Sequence, residues 1–105
     1  MTRKLFISQP MRDKTKQEIL NERQVLIDLA TVKLNGEVFE VIDSYITDFP
    51  EDEPIKHTSV WYLGMSLIML SKADFVIFGD GWQDTPGCLL EHKTCELYNI
   101  PILSD

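Results

Sequence analysis

The chain has 105 residues, of which 44% are hydrophobic, and its formal net charge is −7. This length and composition predict one globular domain spanning residues 1–105 and argue against a disordered chain. The excess of acidic side chains disfavours a nucleic acid polymer or an anionic membrane as a partner, but it is compatible with a small phosphorylated ligand.

The first half of the chain contains signals for two strands and one helix. Lys4–Ser8 is a short apolar run, which predicts a buried strand. Thr15 and Glu18 have the spacing of a capping box, and apolar residues then recur at helical intervals until Asn-Gly at positions 35–36 ends the helix. Glu37–Ile42 alternates and is rich in β-branched residues, which predicts a second strand.

The middle of the chain is a polar connection followed by a second helix. Residues 43–54 are acidic and contain two prolines, which predicts a long irregular segment. Two interpretations are open for this segment, a lid or binding loop and a solvated surface loop. Thr58 or Ser59 is expected to cap the helix, whose apolar residues continue to about Lys72.

The last third of the chain also alternates between strand and helix signals. Phe75–Phe78 predicts a third strand, Pro86–Tyr98 a helix with proline at its first position, and Pro101–Leu103 a fourth strand. Asn99 is suited to cap the end of that helix. The order β-α-β-α-β-α-β predicts a three-layer α/β sandwich, with a four-stranded parallel sheet of order 2-1-3-4 and helices on both faces.

In this strand order the chain reverses direction between the first and third strands. Ligands of open α/β sheets bind in the crevice at the carboxyl ends of the strands beside such a reversal. We therefore expect ligand-binding residues in the two loops that leave these strands. The candidates are Ser8, Gln9 and Arg12 after the first strand, and Gly79, Gly81 and Trp82 after the third.

The start of the third helix adds a second group of candidates. Glu91, at its sixth position, could attack an electrophilic carbon or hold a sugar hydroxyl; the alternative is a surface glutamate paired with Lys93. Thr85, Gly87 and the following amides could bind a phosphate at the helix N-terminus, or Thr85 could be an N-cap without a ligand. Asp84 is expected to face a ribose or the solvent.

Three polar or aromatic side chains of the two loops have alternative interpretations. Arg12 could clamp a phosphate or carboxylate, or pair with Asp13 at the surface. Gln9 is placed to bind a base edge or a ribose. Trp82 could stack on a base or cover the crevice.

The cysteines bear on localisation and on metal binding. Cys88 and Cys95 are seven residues apart on one predicted helix, about 10 Å along its axis, which is too far for a disulfide. Reduced thiols, the lack of a signal peptide and the lack of an apolar run of about 20 residues predict a soluble, cytoplasmic protein. Cys88 and His92 would supply only two ligands to a zinc ion, so no metal is predicted.

Three segments carry a resemblance to a known family. They are KLFISQPM (residues 4–11), SKADFVIFGDGW (71–82) and TPGCLLEHKTCELYNIPIL (85–103). Together they resemble the nucleoside 2-deoxyribosyltransferase-like superfamily, and within it the DUF4406 domain branch. The resemblance covers most of the chain and is weakest across residues 43–57. It implies a flavodoxin-like or Rossmann-like sheet, in agreement with the strand order above.

The resemblance also implies a chemistry. Enzymes of this family cleave the N-glycosidic bond of a nucleoside or nucleotide, and their nucleophilic glutamate falls on Glu91. A covalent glycosyl-enzyme would form, and water or a second base would accept the sugar. Thr85 takes the place of a serine that holds the 5′-phosphate in the nucleotide hydrolases of the family, which favours a phosphorylated substrate. No metal or cofactor is implied.

The chain departs from the family pattern at three supporting positions. The tyrosine near the end of the first strand, which orients the glutamate, is absent, and Phe6, Ile7 and Ser8 stand there. The carboxylate of the second helix falls on Ser66. The aspartate before the third helix falls on Thr85, with Asp84 one residue earlier.

The sequence thus predicts N-glycosidic bond cleavage or transfer on a nucleoside 5′-monophosphate or nucleoside, with Glu91 as the nucleophile. A non-catalytic nucleotide-binding or sensing module is the alternative, and an interaction protein with a vestigial crevice is a third reading. The expected partners are a small nucleotide or nucleoside and other copies of the chain. We expect a homodimer or higher homo-oligomer, formed through the helix that carries Trp61.

Overall fold

The structure, a computed structural model, describes residues 2–43 and 49–103. Strands and helices alternate along it in the predicted order. The elements are β1 (Arg3–Ser8), α1 (Lys16–Lys33), β2 (Phe39–Val41), α2 (Thr58–Leu70), β3 (Phe75–Phe78), α3 (Pro86–Tyr98) and β4 (Ile102–Leu103). Residues 44–48 of the predicted acidic connection lie outside the described residues.

The four strands form one parallel sheet in the order β2-β1-β3-β4. In its register Leu5 lies opposite Phe75 and Ser8 opposite Phe78. The predicted α/β class, strand order and parallel direction are therefore confirmed. None of the helices in the described part of the chain combines the length and the apolar content needed to cross a membrane.

The core consists of two apolar layers, one on each face of the sheet. Side chains alternate between the faces along a strand, so uninterrupted apolar strands supply both layers. On one face Leu5, Ile7, Phe75 and Ile77 pack against Leu26 and Ala30 of α1. On the other face Phe6 and Val76 pack against Leu70 of α2 and Cys95 of α3. This alternation directs Ser8, two residues after Phe6, to the face covered by α2 and α3.

The starts of α1 and α3 and the end of α3 follow the sequence signals, whereas the start of α2 does not. Thr15 and Glu18 form the predicted capping box at the start of α1, and Asn99 ends α3 in the left-handed conformation, with φ 57°. The N-cap of α2 is His57, without a side-chain hydrogen bond. The expectation that Thr58 or Ser59 caps α2 is therefore wrong, because both residues already lie in its first turn.

The edges of the sheet are shorter than the sequence pattern indicated. β2 was expected over residues 37–42 but pairs with β1 only along Phe39–Val41. Glu37 lies outside the strand and binds Arg3 at 3.2 Å. The sequence also gave no signal for the 3-10 turn at Trp82–Asp84 that precedes α3.

Candidate functional site

A cavity of about 440 Å³ opens at the carboxyl end of β1, between α2 and α3. Both helices begin at this edge of the sheet, since helices run antiparallel to the strands in a parallel α/β fold. Residues 6–9 and Met11 line it from β1 and the loop that follows. The wall from α2 consists of Ser59, Tyr62, Leu63 and Ser66, and the wall from α3 of Thr85, Gly87, Cys88 and Glu91.

Glu91 lies at the floor of this cavity with only 5% of its surface exposed. Its two carboxylate oxygens each accept a hydrogen bond, Oε1 from the Ser8 hydroxyl and Oε2 from the Ser66 hydroxyl, both at 2.7 Å. The alternative of a surface glutamate paired with Lys93 is therefore wrong. Glu91 joins β1, α2 and α3 through a single side chain.

Burial changes the ionisation of this carboxyl group. Removal from water disfavours the charged form and raises the pKa of Glu91, and the hydrogen bonds from Ser66 and Ser8 only partly offset this rise. The carboxylate is accordingly a stronger base than an exposed glutamate. Each oxygen uses one lone pair for a serine, so each keeps one lone pair for another partner.

Ser66 occupies the position at which the family resemblance implies a carboxylate, and Ser8 is one of the three residues that stand where it implies a tyrosine. Both hydroxyls contact Glu91 directly, so neutral donors orient its carboxylate. Ser66 was not among the predicted site residues. The sequence does contain a signal for it, because it is the one polar side chain in the apolar run of residues 63–70. A buried hydroxyl in such a run requires a partner.

The start of α3 forms the upper part of the opposite wall. Thr85 is the N-cap residue, but its hydroxyl makes no capping bond and instead donates to the Gly81 carbonyl at 3.2 Å. Pro86 at the first position has no N–H, so the first amide at this helix end belongs to Gly87. Thr85 and Gly87 both line the cavity, and their role in binding a phosphate stays a prediction.

Gln9 lines the cavity, but its amide is held on the other side of the sheet. Its Nε2 donates to the Ile19 carbonyl of α1 at 3.2 Å, which follows from the alternation that directs Ser8 toward Glu91. Its Oε1 is buried without a hydrogen-bond partner among the described residues. The predicted contact of this amide with a base or ribose would require the side chain to leave α1.

The remaining candidates from the first loop and the third-strand loop do not line the cavity. Arg12 and Asp84 are exposed. Gly79 is buried, and a Cβ atom added there would lie 3.1 Å from the Cβ of Gln9. Gly81 has φ 85°, a conformation that favours glycine. The structure thus gives both glycines a backbone role, and a role in binding stays a prediction for all four residues.

Trp82 also lies away from the cavity lining. Its ring stacks on His92, with centroids 3.9 Å apart and planes 7° apart, and Phe78 contacts both rings. His92 in turn bonds Glu96 at 3.2 Å. Trp82 therefore packs the 3-10 turn against α3, and contact of its ring with a base stays a prediction.

Both cysteines are free and buried. Burial raises the pKa of the Cys88 thiol. A hydrogen bond with Ser8 lowers this pKa, and the nearby Glu91 carboxylate raises it by a smaller amount. Burial and Glu91 also raise the pKa of Cys95, to about 11. Within residues 2–43 and 49–103, no three His, Cys, Asp or Glu side chains are grouped so that they could hold a metal ion.

The site is therefore a cavity with a buried carboxylate at its floor, a helix N-terminus on one wall and an aromatic side chain, Tyr62, on the other. Such a combination of one perturbed acid and few polar groups in an apolar cleft is typical of small-molecule sites. No protein-family model, curated protein or solved structure matches the chain.

Proposed function

We propose that the protein cleaves the N-glycosidic bond of a nucleoside or nucleoside 5′-monophosphate, with Glu91 as the nucleophile. The observation that carries this proposal is the buried Glu91 carboxylate at the floor of the cavity, fixed by two hydroxyls at 2.7 Å. The family resemblance independently assigns the nucleophile to the same residue. Membership of the nucleoside 2-deoxyribosyltransferase-like superfamily is part of the proposal.

The reaction would proceed in two displacements. In the first, a Glu91 oxygen forms a bond to the anomeric carbon as the C–N bond breaks, and the base leaves with the bonding electrons and takes up a proton. In the second, water or another base attacks the same carbon and releases Glu91. Two inversions give net retention. Ser8 and Ser66 would hold the carboxylate in the attacking orientation and favour its ionised form.

A 5′-phosphate finds support at the N-terminus of α3. The amide of Gly87 and the helix dipole favour an anion there. Thr85 and Glu91 are six residues apart along α3, about 9 Å at 1.5 Å per residue. This span leaves room for a sugar between a phosphate at the helix start and the carboxylate at the floor.

The alternative is a module that binds nucleotides without cleaving them. The specific observation in its favour is that the two hydroxyls on Glu91 come from Ser8 and Ser66, whereas the resemblance implies a carboxylate at position 66 and a tyrosine near the end of β1. Ser8 and Ser66 can orient Glu91, but neither can serve as a general acid near neutral pH.

Release of free base separates the two functions. The protein is incubated with common nucleosides and nucleoside 5′-monophosphates, and free base is measured by chromatography. We expect base release by the wild-type protein and its loss in Glu91→Gln, because an amide is a poor nucleophile. Glu96→Gln is the matched control, since Glu96 is an exposed carboxylate on the same helix, and it should retain activity.

Two outcomes of this experiment contradict the proposal. Base release that persists undiminished in Glu91→Gln excludes Glu91 as the nucleophile. Binding of a nucleotide without base release from any of the substrates would establish the non-catalytic module instead.

We further propose that the protein forms a homodimer through α2. Val60, Gly64 and Ile68 recur at intervals of four residues, and the two apolar side chains are 64% and 53% exposed. A side chain at Gly64 would contact nothing within 4 Å, so another helix can approach closely. Light scattering should give a dimer or larger species for the wild type and a smaller one for Ile68→Glu; a wild-type monomer at micromolar concentration would contradict the proposal.

A cytoplasmic location, suggested by the free thiols, also stays a prediction.

A further inference from the structure

An aromatic cluster supports one wall of the cavity. The Tyr62 ring stacks on Phe49, with centroids 5.7 Å apart and planes 23° apart. Trp61 meets Tyr62 edge-on at 5.1 Å and meets Phe49 at 5.1 Å. Contacts of this kind restrict the orientation of a ring beyond what its own rotamers impose.

Tyr62 is nevertheless open toward the cavity. Phe49 covers one face of its ring, yet 37% of the residue is exposed, and the residue lines the cavity. Tyr62 and Ser66 are four residues apart and so lie on the same face of α2. Ser66 bonds Glu91, so Tyr62 lies about one helical turn, roughly 6 Å along the axis of α2, from the residue that contacts the carboxylate.

The two walls of the cavity differ in chemistry. Both walls include the start of a helix, but only the wall from α2 presents an aromatic ring, that of Tyr62, whereas the wall from α3 presents Thr85 and Gly87. In a nucleoside 5′-phosphate the base and the phosphate leave the sugar in different directions. In the proposed binding mode, with the sugar over Glu91 and the phosphate at the N-terminus of α3, the base would face the α2 wall.

We infer that Tyr62 is the base-recognition residue of this site, and that the part of its ring left exposed by Phe49 and Trp61 stacks on the base of the bound nucleotide. The inference rests on the proposed function for the identity of the ligand. Stacking tolerates different bases because every base has a π face. Tyr62 would therefore select ligands that carry a heteroaromatic ring over sugar phosphates that lack one.

The test compares ligands with and without a base. Calorimetry in a Glu91→Gln background, which keeps the ligand intact, gives Kd for the common nucleoside 5′-monophosphates and for ribose 5-phosphate. Tyr62→Ala should weaken binding of the tightest-bound nucleotide by about 5- to 150-fold, the effect of truncating a side chain that stacks on a base. The affinity for ribose 5-phosphate should change by less than about twofold, because that ligand has no ring.

Three further variants separate stacking from structure. Tyr62→Phe keeps the π face and should retain the affinity for the nucleotide. Tyr62→Leu fills the space beside Phe49 without a π face and should behave like Tyr62→Ala, so the test holds even where the alanine variant does not fold. Tyr98→Ala is the matched control, since Tyr98 is 75% exposed and lies at the far end of α3.

The outcomes distinguish the two proposals. Equal losses for the nucleotide and for ribose 5-phosphate, or no loss for either, would overturn the role of Tyr62. Nucleotide binding that depends on Tyr62, without base release by the wild type, would sustain that role and reject cleavage by Glu91. Base release by the wild type, together with nucleotide binding that does not depend on Tyr62, would support cleavage by Glu91 and reject the role of Tyr62. The absence of binding for every nucleotide would reject both proposals.

Discussion

Replacement of Ser66 by alanine tests the electrostatics of the site most directly. The Ser66 hydroxyl donates to Oε2 of Glu91 at 2.7 Å, and Ser66→Ala removes this donor while the helix propensity of α2 is kept or improved. Ser8 still donates to Oε1. The variant therefore removes one of two interactions that favour the ionised form of a buried carboxylate.

The size of the effect depends on the charge of Glu91. A hydrogen bond to a charged group contributes about 1.5–3 kcal/mol to stability, and one between neutral groups about 0.5–1.5 kcal/mol. Water in the cavity can reach the vacated oxygen, so we expect the lower part of each range. Ser66→Ala should lower the free energy of unfolding by about 1.5–2 kcal/mol where Glu91 is ionised, and by about 0.5–1 kcal/mol where it is protonated.

The sign of the pH dependence follows from linkage. Burial raises the pKa of Glu91 in the folded protein above its unfolded value. The stability that this group contributes is therefore fully present below the unfolded pKa and is lost as pH rises through the folded pKa. Ser66→Ala raises the folded pKa further, so the loss of stability with rising pH should be larger in the variant.

Urea unfolding at several pH values between 4 and 8, followed by circular dichroism, measures this difference. Ser71→Ala is a suitable control, because Ser71 bonds only a backbone carbonyl, that of Ile68, and its effect should not vary with pH. An effect of Ser66→Ala that is equal at both ends of the range would refute the reasoning, since it would show that the hydroxyl does not sense the charge of Glu91.

Two further predictions concern pH and thiol chemistry. The rate of base release should fall as pH drops through the raised pKa of Glu91, because the nucleophile must be ionised. The fall should be centred above the ordinary pKa of glutamate and should move to higher pH in Ser66→Ala. A rate that does not depend on pH would contradict this prediction. At pH 8 Cys95, with its pKa raised to about 11, should react with a disulfide reagent roughly 100-fold more slowly than an unperturbed thiol. Cys88 lines the cavity, so bound nucleotide should slow the reaction of the Cys88 thiol with the disulfide reagent. Two fast-reacting thiols in the folded protein would show that the cysteines are not buried.

The fold could be read from the sequence because its signals are local and agree with one another. Uninterrupted apolar strands such as Phe75–Phe78 are typical of a sheet buried on both faces, and the capping box at Thr15 begins α1 where the structure does. The errors lie at the sheet edge and at the start of α2. Residues 37–42 alternate like a strand, but the strand itself spans only Phe39–Val41, and the extent of pairing is a tertiary property that the pattern does not contain.

The site was predicted less completely than the fold. Ser8, Thr85, Gly87 and Glu91 do line one cavity, because the carboxyl end of a strand and the start of a helix meet at one edge of the sheet. Ser66 was missed as a site residue, since its contact with Glu91 depends on how α2 lies beside α3. For Trp82 the sequence left open contact with a base and cover of the crevice; its ring stacks on His92, a pairing that no spacing in the sequence shows.

The arrangement around Glu91 bears on whether the carboxylate is structural or chemical. A glutamine at position 91 could bond both serines as well, because it could accept from one hydroxyl and donate to the other. A purely structural role would therefore be filled by a neutral amide, without the cost of removing a charge from water. Position 91 instead carries an ionisable carboxylate below an open cavity, and each of its oxygens keeps one lone pair for another partner. An acid kept at this cost is suited to act on a bound molecule, so Glu91→Gln should preserve the fold while base release is lost.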